Sequence, residues 1–245
     1  MESPTIELKD ISFEAEDKSI VRNVSLAFEE GITTALVGPS GGGKSTVLKI
    51  AAGLIVPTEG IVSYRGKDIG EMSRAETLDF RKNAAFVFQD SALWANQTIR
   101  QTLELPLRLH NPKMSNIQRT ERIVKVLAEV GYKKGIDIRP SQLSMGEQKL
   151  IAFARALILG PNVLFLDEWT ESLDDVAAKR LVAIVKTMQQ EGTTIVFVSH
   201  NFKVVKELAA RVCMIKDGEL TLSVGAHEIA GNDSLSKMIE QGIAV

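Results

Sequence analysis

The chain of 245 residues contains one cysteine, and aromatic residues make up only 5% of it. A single thiol cannot close an internal disulfide, which fits a reducing compartment and leaves the fold to be held by packing. Cys213 lies in the apolar run Val212-Cys213-Met214-Ile215 and reads as a small buried hydrophobe. Charge of one sign is also lacking. The 29 Lys and Arg stand against 31 Asp and Glu, a net charge of -2, so no global field draws the chain to nucleic acid. No apolar run approaches the roughly 20 residues that cross a bilayer. Met1-Glu2-Ser3-Pro4-Thr5 has neither the basic start nor the apolar core of a secretory leader. Internal repeats and low-complexity segments are missing as well. These absences exclude nucleic acid as a charge-steered partner, and they imply that work at a membrane would require docking on other chains.

What is present is a hydrophobic content of 44%, enough for a core in one large α/β domain, and one glycine loop. Gly38-Pro39-Ser40-Gly41-Gly42-Gly43-Lys44-Ser45-Thr46 follows the apolar run Thr34-Ala35-Leu36-Val37 and leads into Val47-Leu48-Lys49-Ile50-Ala51-Ala52, which reads as a helix. A strand that enters a glycine loop and then a helix start aims backbone N–H groups and the positive end of a helix dipole at one point, which binds phosphate. In the spacing G-x-x-x-x-G-K-S, Lys44 reaches the outer phosphates and the Ser45 hydroxyl ligates Mg²⁺.

Alternation of apolar and polar residues predicts strands over Thr5 to Phe13 and Ile20 to Phe28, an antiparallel ribbon ahead of the core. Further short strands are expected at Ile32 to Val37, Gly60 to Arg65, Ala84 to Gln89, Asn162 to Leu166 and Thr193 to Val198. Arg211 to Ile215 and Glu219 to Val224 flank Lys216-Asp217-Gly218, a hairpin with an Asp-Gly turn. Between Asp90 and Leu159 the periodicity is helical, through Leu103 and Leu107, then Ile123, Leu127 and Val130, then Leu150, Ile151, Ala154, Leu157 and Ile158. Asp174 to Gln190 reads as an amphipathic helix with Ala177, Leu181, Val185 and Met188 on one face, and the end of the chain as a short helical tail. Short apolar strands alternating with helices imply a mainly parallel sheet, with ligand groups at its carboxyl-terminal edge. Gly43, Gln89, Asp167 and His200 all fall at or just past such strand ends.

An apolar strand that delivers Asp167-Glu168 beside a phosphate loop has a direct chemical reading. The aspartate supports the metal, through a ligand or a bound water, and the glutamate orients and polarises the water that attacks the γ-phosphate. Gln89 can ligate Mg²⁺ or water. Leu143-Ser144-Met145-Gly146-Glu147 then stands at a helix start between Gln89 and Asp167.

Together these residues resemble the ATP-binding subunit of ABC transporters over nearly the whole chain. The resemblance implies a P-loop NTPase core with an N-terminal β ribbon at residues 1–89 and 160–245, and an inserted α-helical subdomain at 90–159, in one domain of 245 residues. It implies that Gly38 to Thr46 is the Walker A loop and Val163 to Asp167 the Walker B strand. Glu168 becomes the catalytic carboxylate, Gln89 the Q-loop glutamine and His200 the switch histidine. Ser144, Met145, Gly146 and Glu147 form the signature, which caps the γ-phosphate held by a second copy, and Glu171 to Asp174, with Ser172 and Leu173, form the D-loop. ATP and Mg²⁺ are the implied ligands, with Ser45, Gln89 and Asp167 at the metal. The implied partners are a second copy and integral membrane permease subunits, at the cytoplasmic face of the inner or plasma membrane, with Leu93 and Trp94 in the groove that receives the permease.

Four positions depart from the family pattern. Ala15 stands where an aromatic usually stacks on adenine, and Phe13, two residues earlier, is expected to substitute in part. Met145 replaces the first signature glycine, while Trp169 and Glu171 change the segment after the catalytic glutamate, at the expected dimer contact. Phe88 to Trp94, Thr98 to Arg108 and the tail Asp233 to Gly242 resemble the ATPases of Mla/MCE-type lipid transport systems. That likeness implies phospholipid transport across the cell envelope with an MCE-type substrate-binding protein. The alternative is a regulatory ATPase of a non-transporting, division-type complex.

Overall fold

The computed structural model describes residues 4–232 together with Ser234, Ser236, Lys237, Ile239 and Glu240. Of the tail from 233 to 242, positions 233, 235, 238, 241 and 242 lie outside the described residues, as do Met1, Glu2 and Ser3.

Strands β1 (Ile6–Ala15) and β2 (Lys18–Phe28) pair antiparallel around the two-residue turn Glu16-Asp17, where φ is 50° and 60°. Such paired positive angles match the twist of a hairpin. With β4 (Glu59–Tyr64) and β5 (Lys67–Asp68) they form a four-stranded sheet in the order β2-β1-β4-β5. The main sheet has six strands in the order β10-β9-β3-β8-β7-β6. Its members are β3 (Thr33–Val37), β6 (Ala84–Val87), β7 (Val163–Asp167), β8 (Thr194–Val198), β9 (Arg211–Lys216) and β10 (Glu219–Gly225). All neighbouring pairs run parallel except the β9–β10 hairpin at the edge.

The central strands read as unbroken apolar runs because both faces are covered. Ala35, Leu164, Leu166, Ile195 and Phe197 point into one core with the helices that follow β6, whereas Leu36, Val163, Phe165, Val196 and Cys213 point into a second core with the four-stranded sheet. That split follows the period of two along each strand. Each fully buried Leu, Ile or Phe contributes about 1.5–3 kcal/mol, so the sheet is the rigid platform of the molecule.

Helices α1 (Lys44–Ala51), α2 (Arg74–Asn83), α3 (Ile99–His110), α4 (Asn116–Val130), α5 (Met145–Leu157), α6 (Asp175–Gln190), α7 (Phe202–Leu208) and α8 (Ala226–Ala230) complete the fold. Four of them start in the same way. Ser73 with Glu76, Thr98 with Gln101, Ser115 with Gln118 and Ser144 with Glu147 each form a reciprocal capping box. The sequence reading passes over α2, although Ser73-Arg74-Ala75-Glu76 carries that signature. Three helices, α3, α4 and α5, lie between β6 and β7. Among the described residues no helix is long and apolar enough to cross a membrane.

Register shifts on both sides of Phe13 interrupt the ladder between β1 and β2, and its partly buried side chain packs against the second core.

Candidate nucleotide-binding active site

The site grows from four adjacent strand ends. β3, β8, β7 and β6 are successive neighbours in the sheet, and their carboxyl ends carry the glycine loop, His200, Asp167 with Glu168, and Gln89 respectively. A cleft of about 300 Å³ there is lined by Ser40 to Thr46, Ile20, Gln89, Glu168 and His200.

The loop owes its shape to glycine at two points. Gly38 has φ 139°, and a Cβ there would fall 2.0 Å from the Ile215 carbonyl oxygen. Gly43 caps α1 at φ 99°, where a Cβ would meet the Ile20 carbonyl oxygen at 2.8 Å. Any side chain at Gly38 would push the loop off β9. Lys44, only 5% exposed, folds back on its own loop, and its Nζ donates to the carbonyls of Gly38 (2.9 Å) and Pro39 (2.8 Å). Burial lowers the affinity of this amine for its proton, and the nearby carboxylates of Glu168 and Asp167 oppose that.

Ser45 Oγ donates to Asp167 Oδ1 at 2.8 Å. Burial raises the Asp167 carboxyl above the usual range, against the pull of Ser45, Lys49, Lys149 and Lys44. These are hard oxygen donors beside a phosphate loop, the kind of set that holds Mg²⁺ through one carboxylate and the substrate's own phosphates. No cluster of three or more His, Cys, Asp or Glu able to hold a metal occurs among the described residues.

Glu168 sits in the left-handed region at φ 44°, and its N–H donates to the Val198 carbonyl at 3.1 Å. A non-glycine residue in this conformation is held there by its surroundings. Gln89 Nε2 donates to its Oε2 at 2.6 Å, while His200 Nε2 stands 2.9 Å from its Oε1. Burial raises this carboxyl too, with Glu171 adding to the effect and His200 working against it. Ser45, Asp167, Glu168, Gln89 and His200 are thus brought together.

The signature residues lie apart from that cleft, at the start of α5. Ser144 Oγ accepts from the Glu147 N–H at 3.2 Å, and Lys134 Nζ reaches Glu147 Oε2 at 2.8 Å. Met145 is 71% exposed, so the side chain that replaces glycine here points into solvent. Gly146 is packed from behind by the loop that follows Glu168: a Cβ there would meet the Ser172 carbonyl oxygen at 3.0 Å. In that loop Leu173 packs on the core and Asp174 caps α6 by accepting from the Ala177 N–H at 2.7 Å.

One expectation needs correction. The Trp169 side chain is fully buried against Phe153, with ring centroids 5.6 Å apart, and so belongs to the core rather than to a surface contact. Leu93 is partly buried against the core that holds the helices, and Trp94 lines a cavity of about 410 Å³ with Leu54, Phe86, Phe88, Pro106 and His110. Sequence reasoning also missed Ile20, the apolar wall of the nucleotide cleft, and Lys149, whose signal was a cation placed inside an otherwise apolar helix face.

The family profile described as ABC transporter matches residues 21–171. The methionine import ATP-binding protein MetN of Haemophilus ducreyi is 36% identical over 232 residues, covering 93% of this chain and 67% of that protein. The nickel import ATP-binding protein NikE of Shigella flexneri is 35% identical over 214 residues, covering 85% and 80%. The ATP-binding cassette MJ0796, solved as a dimer in a post-hydrolysis state with ADP and Pi, superimposes with a TM-score of 0.83 at 30% identity, over 90% of this chain and 98% of that one. Strand order, loop and relatives agree, and the chain belongs to the ABC transporter family as an ATP-binding subunit, an ATPase that takes ATP with Mg²⁺.

Proposed function

We propose that two copies of this chain close around ATP and drive a pair of membrane permease subunits from the cytoplasmic face. The observation that carries the reading is the meeting of Ser45, Asp167, Glu168, Gln89 and His200 at one sheet edge beside the glycine loop. The dimeric MJ0796 cassette supports the pairing by likeness.

In this reading the backbone N–H groups of residues 38–46 cradle the phosphates. Lys44 leaves the Gly38 and Pro39 carbonyls to meet the outer phosphates. Ser45, Asp167 and Gln89 would hold Mg²⁺, which would supply neutralisation of the phosphate charge. Glu168 orients the attacking water and takes its proton, and His200 holds the glutamate and the γ-phosphate in register. Ser144, Met145, Gly146 and Glu147 cap the γ-phosphate of the other copy at the N-terminus of α5, while Ser172, Leu173 and Asp174 link the two sites. ATP closes the pair only through its differential affinity for the closed state, and hydrolysis removes that preference.

Residues 90–159 act as a subdomain against the core formed by 1–89 and 160–245, and the Trp94 groove between them receives the permease. The relatives named for methionine and nickel import support an importer as the general class. Lipid cargo with an MCE-type protein rests on the sequence likeness of Phe88 to Trp94, Thr98 to Arg108 and the tail Asp233 to Gly242. Purification of the chain with its partners from mildly solubilised membranes decides among these. A permease with a solute-binding protein makes it an importer, a permease with an MCE-type protein a lipid transporter, and a division-type permease a signalling ATPase. Recovery of no membrane protein overturns the motor reading.

A further inference from the structure

Helix α5 holds more than the signature at its start. Lys149, in its second turn and 3% exposed, donates Nζ–H to the backbone carbonyl of Gln89, with the Phe88 carbonyl oxygen at 3.5 Å. Further along, Arg155 donates to the carbonyls of Ala92 at 2.7 Å and Ser91 at 3.2 Å. Two cations of one helix therefore grip four carbonyls in the stretch from Phe88 to Ala92. The stretch needs that grip, because Ser91 and Ala92 both lie in the left-handed region, at φ 64° and 44°, where side chains are strained.

An ammonium in such a place is costly to desolvate, and a neutral side chain of equal length would fill the space. The carboxylates of Glu171, Asp167, Asp90 and Glu168 surround it and offset that cost. What the ammonium adds over a methionine is a charged donor aimed at one backbone atom. That atom belongs to the residue whose side chain donates to Glu168 at 2.6 Å. A chain of direct contacts thus runs from the start of α5 through Lys149 to Gln89 and on to Glu168, without crossing the sheet.

We infer that Lys149 is a positioning residue, which fixes the Gln89 backbone to the signature helix so that the Gln89 side chain meets Glu168 and the metal only when α5 is correctly placed. The inference rests on the role proposed above for Gln89. A γ-phosphate that draws on the start of α5 would then reset Gln89 through a single side chain, which gives the catalytic site a direct report of the signature's engagement.

The test is a double-mutant cycle on the full chain with Lys149→Met, Gln89→Ala and both together. It reads the affinity for Mg·ADP, which needs no turnover, and the Mg²⁺ concentration that half-saturates ATP hydrolysis. Lys149→Met is expected to weaken Mg·ADP about tenfold, the usual effect of losing a charged hydrogen bond, while ADP affinity in chelator stays within about twofold. In the Gln89→Ala background it should add less than about twofold. Equal losses in both backgrounds, or no loss from Lys149→Met where Gln89→Ala has one, overturn the inference. If Gln89→Ala itself changes neither readout, the role of Gln89 is wrong and the inference falls with it, a result told apart from the others by that single variant. Lys149→Arg, which keeps a charged donor, should restore Mg·ADP affinity to within about threefold of the parent, and failure to do so counts against the donor role. Should Lys149→Met not fold, Lys149→Gln takes its place in the cycle, and the same losses support or overturn the inference.

Discussion

Ser45 Oγ and Asp167 Oδ1, 122 residues apart in sequence, meet at 2.8 Å across the ends of α1 and β7. The hydroxyl partly satisfies a carboxylate that is 1% exposed, and a divalent cation would satisfy it further. In the metal-free chain Asp167 therefore opposes stability while serving the site.

That opposition has a sign in pH. The folded state holds the Asp167 proton more tightly than the unfolded chain does, so stability falls as pH rises from the ordinary aspartate range through the raised value. Asp167→Asn removes this titration and still accepts from Ser45. In chelator, thermal unfolding from about pH 4 to about pH 8 should show the variant's advantage in Tm growing with pH until Asp167 is fully ionised, then holding level. A parent as stable as the variant at neutral pH would contradict this origin of the raised carboxyl.

Glu168→Gln keeps the shape of the side chain and its contact with Gln89, but it cannot take a proton. ATPase activity should fall by about 10²–10⁴-fold, while ATP affinity stays near that of the parent. Size-exclusion chromatography with ATP should show the variant accumulating as a dimer. Turnover at the parent rate would remove Glu168 from the chemistry.

Trp169→Ala deletes the largest fully buried side chain and should cost about 3–5 kcal/mol in chemical denaturation. Trp169→Phe also removes an indole N–H that has no partner among the described residues. Losing an unsatisfied donor offsets part of the lost packing, so this variant should stay within about 1–2 kcal/mol of the parent. An equal loss in the two variants would mean that the indole nitrogen is not orphaned in solution.

Trp94, 47% exposed, can be truncated with little effect on folding. Trp94→Ala should change stability by less than about 1 kcal/mol and leave nucleotide affinity intact, yet weaken co-purification of the permease subunits. Unchanged assembly and transport would exclude the groove as the docking site.

Much of the site was legible because its chemistry is local in sequence. Gly38 to Thr46 spells out both the loop and the lysine, and an apolar strand that stops at Asp167-Glu168 announces a sheet edge. The helical character of 90–159 showed in its periodicity. Features that depend on distant neighbours were harder to read. The register shifts of β1 against β2 on both sides of Phe13 are one such feature, which no alternation pattern reveals. Trp169 follows a polar pair and looked like a surface residue, yet α5 supplies Phe153 as its partner from an earlier part of the chain. Lys149 reaches a carbonyl 60 residues away, a contact that only the packing of α5 on the end of β6 creates. Helix α2 was missed for a different reason: it buries only Phe80, so its apolar periodicity is faint, while its start signal at Ser73 and Glu76 is strong.

The two tryptophans of this chain fall on opposite duties, Trp94 half in solvent at the groove and Trp169 sealed in the core next to Glu168. Their emission should separate by wavelength, the sealed indole blue and the wet one red. Trp169→Phe leaves a fluorophore that sees the groove, and Trp94→Phe leaves one that sees the nucleotide end, so the protein carries its own optical read-out of both events without a label.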